Sequence, residues 1–338
     1  MEILYPVDLS IIIVSWNVRA LLARCLTSIA ETLQSADMPT RPFTYETIVV
    51  DNGSNDGSTD MIYHAYPWVR VIANEQNVGF SRANNQALAI SRGRYNLLLN
   101  PDTEVVGQSL ATMLTYMDDH PDVGAVGPQL LYSDGSVQPS RRRFPTYATA
   151  FLESTILQRW FPRHRLLRRY YLADRPDDEI QEVDWLVGAC LMLRREAVDQ
   201  VGLLDEQFFM YSEELDYCRR LRDAGWRLVY LPTAQVIHHE GGSSEQVAAH
   251  RLILFHTSKV QFYTKWFGRQ KGEWLRLFLL VTFVFQWMEE AVKLLLGHKP
   301  ALRRARLIAY REVLRSGLKP ERLAAPGQPL EGSCASVC

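Results

Sequence analysis

Residues 45–60 read Tyr45-Glu46-Thr47-Ile48-Val49-Val50-Asp51-Asn52-Gly53-Ser54-Asn55-Asp56-Gly57-Ser58-Thr59-Asp60, and this stretch decides the fold. β-Branched residues run to Val50 without a polar break, as in a strand covered on both faces, and the chain then turns acidic and glycine-rich. The helix-like segment 58–66 follows at once. A strand that ends in such a loop and feeds a helix is the unit of an α/β architecture, a mostly parallel central sheet flanked by helices. Open sheets of this kind bind ligands beyond the carboxyl ends of their strands, so the loops that follow the strands carry the chemistry.

Working outward, the pattern predicts strands at 9–15, 45–50, 69–73 and 95–99, an amphipathic helix at 18–32, and a helix at 79–91 that starts in a turn. Two further strand ends are as polar as the first: Ser15-Trp16-Asn17 and Asn100-Pro101-Asp102-Thr103. Any one of these loops reads equally as a turn with a helix cap; three on one sheet edge read as a site. Residues 135–184 are arginine-rich and poorly periodic, including Arg141-Arg142-Arg143. They read as a partly helical excursion over the sheet edge, either meeting an anionic ligand, a partner or a membrane, or forming a solvated basic face. Order returns with a strand at 185–193, a helix at 195–201 closed by Gly202, a helix at 213–224 with Gly225 as its cap, and a strand at 227–230 stopped by Pro232.

The chain has 338 residues, 47% hydrophobic and 22% charged, which excludes disorder over most of its length. A net charge of −1 argues against a nucleic-acid binder driven by bulk electrostatics. Five scattered cysteines with no CxxC pair suggest neither a zinc ribbon nor a disulfide framework, and fit a reducing compartment. The acidic start and the strand-length apolar run from Ile11 to Val14 do not read as a secretion signal.

After residue 270 the composition changes. Residues 275–288 are strongly apolar, with Phe278, Phe283, Phe285 and Trp287, yet shorter than the roughly 20 residues of a membrane span. Residues 299–322 then carry eight Lys/Arg against Glu312 and Glu321. An apolar, aromatic helix followed by a basic segment suits an anionic membrane surface; a core helix with a solvated tail is the alternative. Residues 324–338 read as a disordered tail.

Four groups of residues carry candidate chemistry. Asp102, just after a buried strand, can hold a hard divalent cation, Mg2+ or Mn2+, while a diphosphate supplies further oxygens. Asp51 can accept the N3–H of a uracil or thymine base, with Gly53 allowing backbone and ligand to approach closely. Neither a GxxxxGK[ST] nor a GxGxxG spacing is present, so phosphate needs neutralising by other means. Glu213, Glu214 and Asp216 follow Phe208-Phe209-Met210-Tyr211 at a helix start; aromatic shielding raises a carboxyl toward the range of a general base, and Glu214 is the candidate. Glu213 and Asp216 would orient the acceptor or pair with nearby arginines. In Val236-Ile237-His238-His239-Glu240-Gly241-Gly242, adjacent histidines point to opposite strand faces, so one, His238, is the candidate metal ligand, and the glycines could face phosphate.

Taken in order, SIIIVSWN, IVVDNGSNDGSTD, NVGFSRANNQAL, LLLNPDTEV, VGAVGPQLLYSDGSVQPSRRRFPT, VDWLVGACLMLRREA, VGLLDEQFFMYSEELDYCRRLRDAGWRLVYLP and VIHHEGGSS resemble the family 2 glycosyltransferases of the GT-A fold, especially the bacterial rhamnosyltransferase-like branch. The resemblance implies a catalytic domain over 1–270, with a nucleotide-binding half to about 130 and an acceptor half beyond it, and a helical extension at 271–323. It implies a nucleotide-diphosphate sugar donor, dTDP-rhamnose or a UDP-sugar, a divalent metal, and inverting transfer to a hydroxyl of a lipid-linked or polysaccharide acceptor in cell-surface glycan synthesis. Asp51 matches the base-binding aspartate, and Asn100-Pro101-Asp102 stands where the family has Asp-x-Asp, with asparagine replacing the first acid. Glu213-Glu214 stands in place of the family's Glu-Asp pair. Ser15, Asn17, Ser54, Asn77, Gly79, Arg82 and Asn100 fall on the nucleotide side, and Trp185 and Gly188 on the donor and acceptor pocket. A cytoplasmic enzyme held on the inner face of the cell membrane is expected. A sugar nucleotidyltransferase would need a basic glycine-rich loop after the first strand, which Ser15-Trp16-Asn17 does not offer; a non-catalytic, membrane-attached partner that kept the fold is the remaining alternative.

Overall fold

The computed structural model describes residues 5–34, 43–239 and 248–320. Strands β1 (Val7–Ser15), β2 (Tyr45–Asp51), β3 (Val69–Ala73) and β4 (Gly93–Leu99) lie in the order β3-β2-β1-β4, all parallel, joined through α1 (Arg19–Gln34), α2 (Ser58–Ala65) and α3 (Phe80–Leu88). The unbroken apolar runs follow from burial on both faces. Ile12, Val14, Ile48, Val50 and Leu98 enter one core while Ile11, Ile13, Val49, Leu97 and Leu99 enter the other, as a strand's period of two requires.

The second half adds β5 (Thr103–Val106), α4 (Ser109–Asp119), β6 (Val123–Leu131) and the short β7 (Val137–Gln138) and β8 (Arg141–Arg142). Helices α5 (Tyr147–Leu152), α6 (Ile156–Trp160) and α7 (Arg165–Tyr170) precede β9 (Gln181–Glu182), β10 (Trp185–Leu186) and β11 (Cys190–Arg194). Next come α8 (Arg195–Val201), α9 (Glu213–Asp223) and β12 (Arg227–His238), and the helices α10 (Ala248–Phe267), α11 (Arg269–Leu295) and α12 (Pro300–Ser316) close the described chain. The sheet continues β4-β11-β6-β12-β5, antiparallel around β11 and at β5, parallel between β6 and β12.

Several expectations are corrected. The predicted strand at 185–193 is two: β10 pairs with β8, β11 pairs with β4 and β6, and 187–189 between them bonds elsewhere, Val187 N–H to the Ser140 carbonyl. Pro232 does not stop its strand, because β12 shifts register between Leu231 and Gln235 and so absorbs the residue that cannot donate to the ladder. Arg141 does not face solvent: it is buried, ion-paired to Asp177 and bonded to the carbonyls of Arg175 and Pro176. Arg303, counted in the basic segment, is buried against Glu290 at 2.7 Å. Strands β5 and β6 were not anticipated.

Cys25, Cys190 and Cys218 are buried free thiols. Cys334 and Cys338, the tail at 324–338 and Gly241-Gly242 lie outside the described residues. Among the described residues no helix is long and apolar enough to cross a membrane.

Candidate active site

Strand order reverses at β1, with β2 on one side and β4 on the other, which opens a crevice beyond their carboxyl ends. Ser15 ends β1, Asp51 ends β2 in register with it, and Asn100 follows β4. Asp51 is 2% exposed. Its Oδ2 accepts the Ser54 N–H at 3.0 Å, and its Oδ1 is buried with no partner. The Ser15 hydroxyl is buried and unpartnered as well. Such unmet polar atoms cost a fold free energy, and two of them fall where β1 and β2 end side by side.

The loop that carries them is braced from both sides. Asn17, at φ 52°, donates its N–H to Ser54 Oγ and accepts from the Asn55 N–H. Asn52 Nδ2 donates to Asn77 Oδ1 at 2.9 Å, and the same Asn77 oxygen accepts the Gly79 N–H. Asn52 Oδ1 accepts from Val78 N–H and Asn74 Nδ2. Asn77 is thereby a brace of the loop. Gly53 stands at φ 79°, and a Cβ there would fall 2.8 Å from the Gln76 Cα, so a side chain is excluded by conformation and by space. Arg82 is exposed, with Glu206 at 3.9 Å as its acidic neighbour.

Asp102 and His238, far apart in sequence, meet because β12 runs antiparallel to β5 with His238 opposite Thr103. His238 Nε2 lies 3.4 Å from Asp102 Oδ1, and its Nδ1 bonds Gln138 Oε1 at 3.0 Å. With that proton on Nδ1, Nε2 turns a lone pair toward the carboxylate, the tautomer a metal-binding imidazole uses. One carboxylate oxygen and one imidazole nitrogen, with water and diphosphate oxygens beside them, are a donor set that suits Mn2+ or Mg2+. Among the described residues no group of three metal-ligating side chains occurs. His239 is committed elsewhere, Nε2 to Glu104 at 2.6 Å and Nδ1 to Ser133 at 2.7 Å.

Segment 187–189 joins this corner to the acids of α9. The Asn100 N–H donates to the Ala189 carbonyl at 2.9 Å, and Gly188 lies so close to Glu214 that a Cβ on it would be 3.2 Å from the Glu214 Cβ. Burial raises the Glu214 carboxyl, and Arg142 pulls it back down. Burial also pushes Glu213 well above the ordinary glutamate range, and the charge of Glu214 adds to the push. Glu213 Oε2 and Glu214 Oε2 are both buried without a partner.

Two expected residues serve the frame. Asp216 is fully buried; its Oδ2 accepts from Arg220 Nε at 3.0 Å, its Oδ1 from Trp266 Nε1 at 2.8 Å, and Lys265 Nζ stands 2.7 Å away. No oxygen is left for an acceptor, so Asp216 fastens α9 to α10. Trp185 donates its indole N–H to the Arg143 carbonyl at 3.0 Å and stacks under the Arg142 guanidinium. Sequence reading missed Asn52, Gln138 and Arg142; Gln138 lies 100 positions from the histidine it orients, and no spacing links them.

Residues 10–202 match Glycosyl transferase family 2. The chain is 33% identical over 238 residues to an N-acetylglucosaminyl-diphospho-decaprenol L-rhamnosyltransferase of Mycobacterium tuberculosis, covering 67% of this chain and 76% of that protein. Rhamnosyltransferase WbbL of Escherichia coli is 29% identical over 171 residues, 48% of this chain and 61% of its own. Among solved structures, the mannosyltransferase PcManGT of Pyrobaculum calidifontis, in complex with GDP-Man and Mn2+, superposes with a TM-score of 0.55 at 15% identity, over 95% of this chain and 88% of that one. The fold is thus GT-A, as the sequence motifs implied.

Proposed function

The chain belongs to glycosyl transferase family 2, and from that premise we propose that it is an inverting, divalent-metal-dependent enzyme that moves a sugar, L-rhamnose from a dTDP donor, to a hydroxyl of a lipid-linked glycan at the cytoplasmic membrane face. One observation supports the reading: segment 187–189 accepts the Asn100 N–H at the Ala189 carbonyl and stands against Glu214 at Gly188, so the loop after β4 and the start of α9 meet at one segment. The non-catalytic alternative rests on Asn100 in place of the first acid and Glu214 in place of an aspartate; the presence of Asp51, Asp102 and Glu214 together favours the enzyme.

The roles follow from charge. Asp51 Oδ1 accepts the base N3–H, which favours a pyrimidine, and the Asn52–Asn77 brace holds the loop around it. Asp102 and His238 would hold the metal, which when bound supplies Lewis-acid stabilisation of the departing diphosphate. Glu214 takes the proton from the acceptor hydroxyl as that oxygen attacks the anomeric carbon from the face opposite the diphosphate. The mycobacterial relative's name supports rhamnose and a polyprenyl diphosphate carrier.

Calorimetric titration of dTDP, UDP and GDP with and without Mn2+, followed by transfer assays with dTDP-rhamnose and a polyprenyl-diphosphate-sugar acceptor, tests the reading. Tighter binding of dTDP or UDP than GDP, increased by Mn2+, is expected. Preference for GDP, or metal-independent binding and transfer, refutes it.

A further inference from the structure

Among the described residues nothing covers the outer face of α11. Leu275, Leu279, Phe283 and Glu290 bury its inner side, while Trp274, Leu277, Val281, Val284, Phe285, Met288, Val292, Leu295 and Leu296 stand exposed. At 100° per residue these nine fall within one stripe about 120° wide, running the length of a helix of about 40 Å, and the exposed Trp287 stands about 60° outside its edge. Val281 is 67% exposed and Leu295 87%. A helix apolar on both sides belongs in a larger core or against another apolar phase.

The stripe extends sideways. Trp160, at the end of α6, packs edge-to-face on Phe285 at 5.8 Å and is itself exposed with its neighbour Phe161. Exposed arginines follow at once: Arg163, Arg165, Arg168 and Arg169, none of which has an acidic partner among the described residues. On α12, which packs along α11 through Phe283–Tyr310 and Glu290–Arg303, the exposed Arg304, Ile308 and Arg311 share a face, and neither arginine is ion-paired among the described residues.

We propose that this face docks on an anionic lipid bilayer, the α11 stripe and Trp160 entering the interface and the arginines meeting headgroup phosphates. Charge decides the occupant. A second copy meeting the same face by two-fold symmetry would set arginine rows against arginine rows, whereas an anionic leaflet complements them. Tryptophan, phenylalanine and methionine beside arginine also match the composition of an interfacial helix. The inference deepens the proposed function, since it supplies the surface on which a lipid-linked acceptor would be met.

The test is co-sedimentation of the full chain with vesicles of phosphatidylcholine alone or mixed equally with phosphatidylglycerol. Binding to the anionic vesicles is expected, weakened about tenfold or more by Val281→Glu with Val292→Glu, and made less steeply dependent on salt by Arg304→Gln with Arg311→Gln. Both pairs lie on the exposed surface, so retained circular dichroism and unchanged dTDP titration separate loss of docking from misfolding and from failure of the enzymatic reading. No binding to either vesicle, or a dimer in sedimentation velocity that the glutamates dissolve, overturns the proposal.

Discussion

Asp51→Asn is the substitution that separates a nucleotide-reading carboxylate from a turn residue. Asparagine is nearly isosteric, and its carbonyl oxygen can still accept the Ser54 N–H that Oδ2 now accepts at 3.0 Å. The change falls on Oδ1, buried without a partner, where an amide N–H would face the base N–H donor to donor. A hydrogen bond to a charged group contributes about 1.5–3 kcal/mol, so the nucleotide dissociation constant should rise roughly 10- to 150-fold. The folded state should barely notice. One buried unmet polar atom replaces another, and the neutral amide is easier to keep out of water than a carboxylate, so unfolding free energy should change by less than about 1 kcal/mol. Calorimetry with dTDP and UDP reads the first quantity and thermal unfolding without ligand the second. Affinity unchanged within about twofold, or a large loss of stability with affinity intact, refutes the assignment of Asp51 to the base.

Asp102→Ala should remove the Mn2+-dependent gain in nucleotide affinity while leaving the metal-free affinity within a few-fold, read by paired titrations with and without Mn2+. Glu214→Gln should leave donor binding unchanged and lower kcat by about 10²–10⁴, read in a single-turnover transfer assay. Because burial raises Glu214 and Arg142 opposes it, transfer rate should rise with pH along a limb above the ordinary glutamate range, and Arg142→Gln should move that limb further up. The same raised carboxyls bind protons more tightly folded than unfolded, so their share of stability is present at acid pH and is lost as pH climbs through their folded values, which urea unfolding across that window should show.

The donor side of the fold was legible because its signals are local. A doubly buried strand, a left-handed glycine and an acid at the strand end all lie within Thr47–Ser54, and the structure ends β2 at Asp51 and holds Gly53 at φ 79° against the Gln76 backbone. The corner at Asp102 was half legible: its strand end could be seen, but Gln138 is tied to it only through β12 pairing with β5 and β6. Position 232 shows the limit of a local rule. Proline ends a ladder in isolation, yet a register shift carries β12 past it, and that shift depends on β6 alongside. Asp216 shows the reverse, an acid that looks catalytic by its neighbours and is consumed by Lys265 and Trp266 from a helix fifty residues on.

The base does not sit on a relaxed helix start. Tyr211 and Ser212 precede Glu213 at φ 70° and 65°, a conformation that costs a non-glycine residue on the order of 1–3 kcal/mol and persists only where surroundings enforce it. Those surroundings are visible. The Phe209 carbonyl accepts the Phe80 N–H at 2.6 Å and the Phe208 carbonyl accepts the Ser81 hydroxyl, which ties the lead-in to the start of α3, next to the Asn77 brace. From the other side Ser258 of α10 bonds the Met210 carbonyl, and Lys265 and Trp266 grip Asp216 one turn into α9. Gly79 completes the contact: at φ 92° a Cβ would fall 2.9 Å from the Phe209 ring, so the two segments can touch only with glycine there. The loop after β2, the start of α3 and the lead-in to α9 are therefore one bonded unit, and in the proposed enzyme that unit holds both the nucleotide side and Glu214.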